Sequence, residues 1–309
     1  MELVRGLYNL HPRHRGCAAT IGNLDGVHMG HQAVLGQLSE RAVELRLPAV
    51  VITFEPQPEE YFAPQLAPPR LTRFREKIQV LRRFSVDRVV CLRFDRRLAE
   101  RTPDQFVEEV LVQGLGVRYL VVGDDFRFGK ERVGDFSYLQ RAGSTKGFQV
   151  VNMHTVTIDG ERVSSTRIRK ALADGDMVAA EKLLGRPYRM CGRVARGDCR
   201  GRTIGFPTAN IYLHRHATPV KGVFAVEMFG LDREPVAGVA NVGTRPTVDG
   251  TRGLLEVYLF DFDQDIYGRY VHVNFLHKLR DEERYDSLAA LQAQIARDVD
   301  NAQAYFSNG

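Results

Sequence analysis

Apolar residues fall into two different rhythms along this chain. Up to Gly185, short unbroken apolar runs alternate with longer stretches in which apolar residues recur at helical spacing. The runs are Cys17–Ile21, Pro48–Phe54, Arg88–Phe94, Tyr119–Gly123 and Phe148–Met153. The helical patterns between and after them are His31–Leu45, Arg73–Phe84, Thr102–Leu115, Phe136–Lys146 and Ser165–Ala173. Short apolar runs bounded by turns read as strands buried on both faces. Thr102-Pro103-Asp104 is a good helix entry, a capping hydroxyl followed by proline in the first turn. This alternation predicts a doubly wound α/β domain, with ligands at the carboxyl ends of its strands.

After a further helical pattern, Asp176–Leu184, glycine and proline recur at short intervals and strand patterns take over. Arg189–Ala195, Thr208–Tyr212, Val223–Phe229, Val236–Asn241, Leu254–Phe260 and Tyr270–Leu276 predict a small antiparallel barrel or sandwich. One helix, roughly Ser287–Phe306, closes the pattern. The boundary is expected near Leu184-Gly185-Arg186-Pro187, where glycine ends a helix and proline prevents its continuation. The expected domains are therefore residues 1–186 and 187–309. The expected fold is an α/β doubly wound N-terminal domain plus a small antiparallel β-barrel C-terminal domain with a terminal helix.

Composition excludes some classes. The 309 residues fit about two domains, and 44% apolar with 26% charged residues is ordinary for a globular protein. No apolar stretch approaches the ~18 residues of a membrane span, and Met1-Glu2-Leu3-Val4-Arg5 lacks a signal-peptide pattern. Cys17, Cys91, Cys191 and Cys199 show no metal or redox spacing, which suggests reduced thiols and a cytoplasmic location. The net charge of +5 is spread along the chain. It suits polyphosphate ligands, whereas an RNA-binding protein would interleave basic and aromatic residues in motifs absent here, so no nucleic-acid partner is expected.

The chemistry starts at Gly22-Asn23-Leu24-Asp25-Gly26-Val27-His28-Met29-Gly30-His31, directly after the Cys17–Ile21 run. A strand breaking into a glycine-rich turn before a helix offers close backbone approach, unpaired N–H groups and a positive dipole to phosphate. On that helix His28 and His31, three apart, would share a face and aim two N–H donors at one phosphate. Alone, the same residues also read as a tight turn with one satisfied histidine. The His-x-Gly-His pattern resembles the signature of the nucleotidyltransferase superfamily, whose members transfer a nucleotidyl group from a triphosphate. Val163-Ser164-Ser165-Thr166-Arg167-Ile168-Arg169 opens another helix, where Ser165, Thr166 and Arg169 converge and suit a leaving pyrophosphate. By itself Ser-Ser-Thr is an ordinary helix cap. Two loops after strands, Thr53-Phe54-Glu55-Pro56-Gln57-Pro58 with Phe62, and Gly123-Asp124-Asp125-Phe126-Arg127-Phe128-Gly129, carry phenylalanines and prolines that suit a flat apolar slot. Loop-anchoring hydrophobes are the plainer account of each of these residues singly.

In the C-terminal half, Thr208 and Asn210 of Gly201-Arg202-Thr203-Ile204-Gly205-Phe206-Pro207-Thr208-Ala209-Asn210 project from one face of a strand. Their hydroxyl and amide oxygens suit a neutral site for Mg²⁺ carrying ATP phosphates; in isolation a threonine and an asparagine at a loop-to-strand junction are the plainer account. In Leu254–Phe260, alternation puts Glu256 with Tyr258 on one face and Leu255, Val257 and Leu259 on the other. Gly192 and Gly197 suit backbone contacts with nucleotide.

Taken together, these motifs resemble, essentially end to end, the prokaryotic bifunctional riboflavin kinase/FAD synthetases. Gly-Asn-Leu-Asp-Gly-Val-His-x-Gly-His, Thr-Phe-Glu-Pro-x-Pro, Gly-x-Asp-Phe-Arg-Phe-Gly and Ser-Ser-Thr-x-Ile-Arg follow in order, with Pro-Thr-Ala-Asn in the second half. Leu24 stands where the family usually has phenylalanine, an apolar exchange expected to affect packing alone. Tyr258 stands where many members have histidine. The resemblance implies phosphorylation of riboflavin to FMN, then attack of the FMN phosphate on the α-phosphate of ATP to give FAD and pyrophosphate. It implies His28 and His31 as catalytic donors, with Gly22, Asn23, Asp25, Gly30, Ser165, Thr166 and Arg169 on ATP. Phe54, Pro56, Pro58, Phe62, Asp125 and Phe128 fall at its flavin pocket. In the kinase half Glu256 is the implied general base, Gly192, Gly197, Thr208 and Asn210 bind ATP, and Thr208 and Asn210 hold Mg²⁺. Asn241–Thr247 and Leu279–Glu282 resemble loops over the substrates. Rival readings are a chain with one competent site and a flavin carrier without turnover. A carrier has no need of a base or of paired phosphate donors. The sequence assigns no oligomeric state.

Overall fold

The computed structural model describes residues 1–197, 205–213, 215, 217–247 and 250–308, without the side chains of 244–247 and 250–252. Cys199 and Gly201–Ile204 lie outside the described residues, as do the side chains of Thr244–Thr247. The chain packs as two compact units, Met1–Pro68 with Thr72–Ser164, and Pro69–Leu71 with Ser165–Gly309.

The first unit is built on a parallel sheet. Strands β1 (Glu2–Arg5), β2 (Cys17–Ile21), β3 (Ala49–Glu55), β4 (Arg88–Arg93), β5 (Val117–Gly123) and β6 (Gln149–Met153) lie in the order β1-β4-β3-β2-β5-β6. Every pair is parallel. Alternate residues of each strand serve opposite layers. On one side Ala19, Ile21, Val50, Ile52, Leu120 and Val122 pack with Phe106, Val110, Leu111 and Leu139. On the other, Ala18, Ala49, Val51, Tyr119 and Val121 pack with Leu35 and Leu38 of α1 (Met29–Leu45). Both faces are covered, which is why the strands read as unbroken apolar runs. From β2 the chain runs outward through β3 to β4, then returns to β5 on the other side. The carboxyl ends of β2 and β5 therefore flank the switch point at which such sheets take ligands.

The short helices α2 (Pro58–Phe62), α3 (Phe74–Leu81), α4 (Arg96–Ala99), α5 (Pro103–Phe106) and α6 (Phe136–Lys146) complete this unit, with the hairpin β7 (Thr157–Ile158) and β8 (Glu161–Arg162). Thr102 caps α5 as its sequence predicts, trading hydrogen bonds with Gln105. The single helix expected over Thr102–Leu115 instead widens into a π-helical segment at Val107–Gly114. Strand β1 and the β7–β8 hairpin were not expected; they are too short and polar to show a period.

The second unit begins with α7 (Ser165–Asp174) and α8 (Met177–Leu184). Strands β9 (Tyr188–Ala195), β10 (Thr208–Tyr212), β11 (Gly222–Phe229), β12 (Val236–Thr247), β13 (Gly250–Leu259) and β14 (Tyr270–Arg280) close into an antiparallel barrel ordered β10-β13-β12-β11-β14-β9. Of the two architectures its pattern allowed, the barrel is the one formed. Met190, Ile211, Phe224, Val226, Val242, Leu255, Val257 and Phe275 are enclosed within it. The terminal helix α9 (Leu288–Asn308) lays Val299, Ala302 and Phe306 on Val223, Ala225 and Val239 of its outer face. The compact units divide at Ser164/Ser165, whereas the sequence placed a boundary at 186/187. Packing explains the difference, since α8 lies on β9 and β14.

Candidate active sites

In the first unit, the turn after β2 is strongly constrained. Leu24 and Val27 take left-handed backbone (φ 49° and 44°) although both carry side chains, a costly conformation above all for β-branched valine. Burial of both side chains holds them there, and Gln32 Nε2 donates to the Val27 carbonyl at 2.9 Å. Leu24 is thus more than an apolar exchange, being a core residue at a strained turn position. Asp25 is also enclosed, and its Oδ1 accepts from the Thr72 N–H (2.9 Å) and hydroxyl (3.2 Å). The Gly26 N–H closes the loop on Thr72 Oγ1. That geometry makes Asp25 a pin for the turn. The Asn23 carbonyl takes a hydrogen bond from the buried Lys77 ammonium, a cation that no motif had flagged.

The two histidines meet by a route the sequence did not show. Helix α1 starts at Met29, so His28 precedes it as the N-cap, with extended backbone. His28 Nδ1 accepts the His31 N–H at 3.4 Å, which leaves its proton on Nε2. The rings stack with centroids 3.6 Å apart, inclined 19°. Gly30 makes room, because a Cβ there would stand 3.2 Å from His28 Cε1. Burial holds the His31 pKa well below 6.5, helped by the nearby His28, Lys77 and Arg162, and His31 Nδ1 is buried without a hydrogen-bond partner among the described residues. His31 therefore acts as a neutral imidazole. Unfolding returns His31 to an ordinary pKa, so the unfolded chain binds an extra proton below about pH 6.5. Thermal melts of the full chain are expected to lose stability as pH falls through that value, with a smaller loss in His31→Ala.

The flavin-pocket candidates separate into two sets. Phe54 and Phe62 join Tyr61 and Phe94 in an edge-to-face aromatic cluster, with centroids 5.2–5.8 Å apart. Phe62 is well exposed, at 66%. Pro56 follows the end of β3 and Pro58 starts α2 beside that cluster. Tyr61 and Phe94 were missed because neither belongs to a motif. Phe128 is instead a core anchor, buried against Phe106, Phe126 and Tyr138. Asp125 is exposed and paired with Arg162 at 2.6 Å.

In the second unit α7 does start at Ser165. Ser165 and Thr166 occupy its first turn, and Arg169 one turn on donates through Nε to the Pro69 carbonyl at 2.7 Å. On the barrel, Asn210 of β10 pairs across strands with Glu256 of β13, and Thr208 with Tyr258. Ala209 and Ile211 pair with the inward Val257 and Leu255, so Thr208, Asn210, Glu256 and Tyr258 share the outer face. Asn210 is buried, and its Nδ2 donates to the Thr208 carbonyl at 3.3 Å. A Cβ at Gly197 would stand 2.5 Å from that nitrogen, so glycine is what admits the amide. Gly192 also meets a packing constraint. The space of its missing Cβ is filled by Ile211, 2.5 Å away, which gives it a packing role in the barrel wall. The segment after β14 is anchored by Arg280, bidentate to the buried Asp298 of α9 at 2.7 and 2.8 Å. Among the described residues no cluster of three or more acidic, histidine or cysteine side chains suits a metal, and no helix is long and apolar enough to cross a membrane.

Comparison with known proteins covers both units. The FAD synthetase family model matches residues 10–167 and the riboflavin kinase model residues 184–306. A bifunctional riboflavin kinase/FMN adenylyltransferase of Escherichia coli K12 is 52% identical over 99% of this chain and 98% of its own length. That of Haemophilus influenzae is 51% identical over the whole of both chains. A crystal structure from Streptococcus pneumoniae, titled a macrolide-efflux protein, is 31% identical, with a TM-score of 0.81 over 96% of this chain and 97% of that one. With both family models matched in order and relatives more than half identical along its full length, this chain belongs to the bifunctional riboflavin kinase/FMN adenylyltransferase family.

Proposed function

We propose that the chain makes FAD from riboflavin in two ATP-consuming steps, each on its own set of residues. On the barrel, riboflavin takes the γ-phosphoryl group of ATP to give FMN and ADP. On the α/β fold, an FMN phosphate oxygen attacks the α-phosphate of a second ATP, and pyrophosphate leaves. The observation that carries this reading is that the two constellations differ as the two nucleophiles do. The barrel sets a carboxylate, Glu256, beside Asn210, as an alcohol nucleophile requires a proton acceptor. The turn after β2 instead sets two stacked imidazoles, N–H donors for the phosphate under attack, and an already ionised phosphate nucleophile requires no proton acceptor.

For adenylyl transfer, the proposal is that His28 and His31 donate N–H bonds to the α-phosphate while charge builds on it. Gly22, Asn23 and Gly30 give the triphosphate its backbone cradle, and Ser165, Thr166 and Arg169 take the departing pyrophosphate. The cluster of Phe54, Phe62, Tyr61 and Phe94 with Pro56 and Pro58 supplies an apolar wall for the isoalloxazine ring. For the kinase step, Thr208 and Asn210 fit Mg²⁺ carried with ATP. Both offer hard oxygen donors on one face, and the Asn210 amide is held in place by its bond to the Thr208 carbonyl. The ion when bound neutralises phosphate charge. Glu256 accepts the proton of the riboflavin alcohol. The need for ATP and the reduced state of buried Cys17, Cys91 and Cys191 support a cytoplasmic location.

The activities are expected to separate by truncation. Residues 165–309 should form FMN from riboflavin, and residues 187–309 should do so with a lower melting temperature. The shorter piece lacks the buried Met177, Ala180, Leu183 and Leu184 of α8. FAD formation from supplied FMN should be absent from both pieces. A folded, ATP-binding 165–309 piece that made no FMN would defeat the assignment.

A further inference from the structure

The row on the barrel's outer face continues past Glu256. In the register of β12 and β13, Glu256 pairs with Asn241, and Asn241 pairs in turn with Val223 of β11. Directly opposed residues of antiparallel strands share a face, with Cβ atoms about 4.5–5.5 Å apart. Asn210, Glu256 and Asn241 therefore stand side by side across three strands, with a carboxylate between two amides. Val242, the next residue of β12, is fully enclosed in the barrel. Beyond Asn241 the same face is apolar and covered, since Val223, Ala225 and Val239 lie under α9. Asn241 thus marks the seam between the covered patch and the polar row. Its Oδ1 is buried and, among the described residues, has no hydrogen-bond partner. A buried acceptor without a donor weakens a fold, so such an atom calls for a donor that arrives with a ligand.

We propose that Asn241 recognises the polyol chain of riboflavin, its Oδ1 accepting a hydrogen bond from one of the chain's hydroxyls and so presenting the terminal alcohol to Glu256. This rests on the reading of Glu256 as base and of Thr208 and Asn210 as the phosphate side. With the phosphates on the Asn210 side, the acceptor alcohol must reach Glu256 from the other, and that side is Asn241. Ribose of ATP also carries hydroxyls, and the two sources separate in the kinetics.

In the full-length chain, Asn241→Ala is expected to raise the riboflavin KM about tenfold, the worth of one neutral hydrogen bond. The ATP KM should stay within about twofold. The ligand-free variant should melt no lower than the parent, because the truncation removes an unsatisfied acceptor. Asn241→Asp, which keeps an oxygen acceptor at the same reach, should hold the riboflavin KM nearer the parent value. An unchanged riboflavin KM in Asn241→Ala overturns the proposal, as does a rise confined to the ATP KM. So does a marked drop in melting temperature, which would make the side chain structural. Glu256→Gln measured alongside separates the two levels. If it is inactive while Asn241→Ala behaves as the parent, only the Asn241 proposal fails; if it stays active, the site reading beneath it fails.

Discussion

Glu256→Gln is expected to lower FMN production by ~10²–10⁴ while FMN-to-FAD conversion continues at the parent rate. The exchange keeps volume, reach and an oxygen acceptor, so the pairing of β13 with β10 and β12 should persist. What it removes is a carboxylate able to take the alcohol proton as the phosphoryl group transfers. Measuring both reactions on one preparation supplies an internal control, because Glu256 lies in the riboflavin kinase segment, outside the residues matched by the FAD synthetase family. Equal losses in the two reactions would indicate misfolding, and kinase turnover within a few-fold of the parent would remove Glu256 from the base role.

The sequence was most informative where a single physical constraint acts. Strands covered on both faces must be apolar throughout, and β2 over Cys17–Ile21 was legible to the residue. The barrel strands were legible through alternation, but their ends were not. β12 and β14 run on to Thr247 and Arg280, beyond their apolar segments, because pairing with a neighbour extends polar backbone as readily as apolar. Strand β1 is an edge strand with a single buried residue, Val4, too little to form a pattern. The 164/165 division was hidden for a different reason. Gly185 and Pro187 truly end α8, but a helix stop does not say which unit the helix packs on.

The sites follow the same division. Motifs located the turn, the Ser165–Thr166 start of α7 and the Thr208–Asn210–Glu256 face, since local spacing decides which residues share a surface. They did not reveal that Asp25 bonds to Thr72, 47 residues away, or that Phe128 is core and Gly192 accommodates Ile211. Those roles depend on partners distant in sequence. Lys77, Tyr61 and Phe94 escaped because each is an unremarkable residue within its own segment, and only the fold gives it a neighbour; Asn241 was read only as part of a substrate loop, whereas it stands in β12 beside Glu256.

Removing either histidine is expected to slow FAD formation by ~2–4 kcal/mol of barrier, roughly 30- to 1,000-fold, with FMN affinity changed little. Donors aimed at charge that develops in the transition state act on kcat more than on ground-state binding. The two variants should differ in their side effects. His28 caps α1 through Nδ1, so His28→Ala also loses a cap and about 1 kcal/mol of stability. His28→Asn offers a capping oxygen in its place and should recover the melting temperature without recovering the rate. The His31 side chain makes no cap, and among the described residues its buried Nδ1 has no partner to lose, so His31→Ala should retain its fold while losing FAD synthesis. Riboflavin phosphorylation, carried by the barrel, should be untouched in all three. The decisive measurement is single-turnover FAD formation from saturating FMN and ATP, beside FMN titration of the same preparation. Parent-like single-turnover rates in His28→Asn and His31→Ala would return both rings to a structural role. A loss confined to FMN affinity would move them from the α-phosphate to the flavin phosphate.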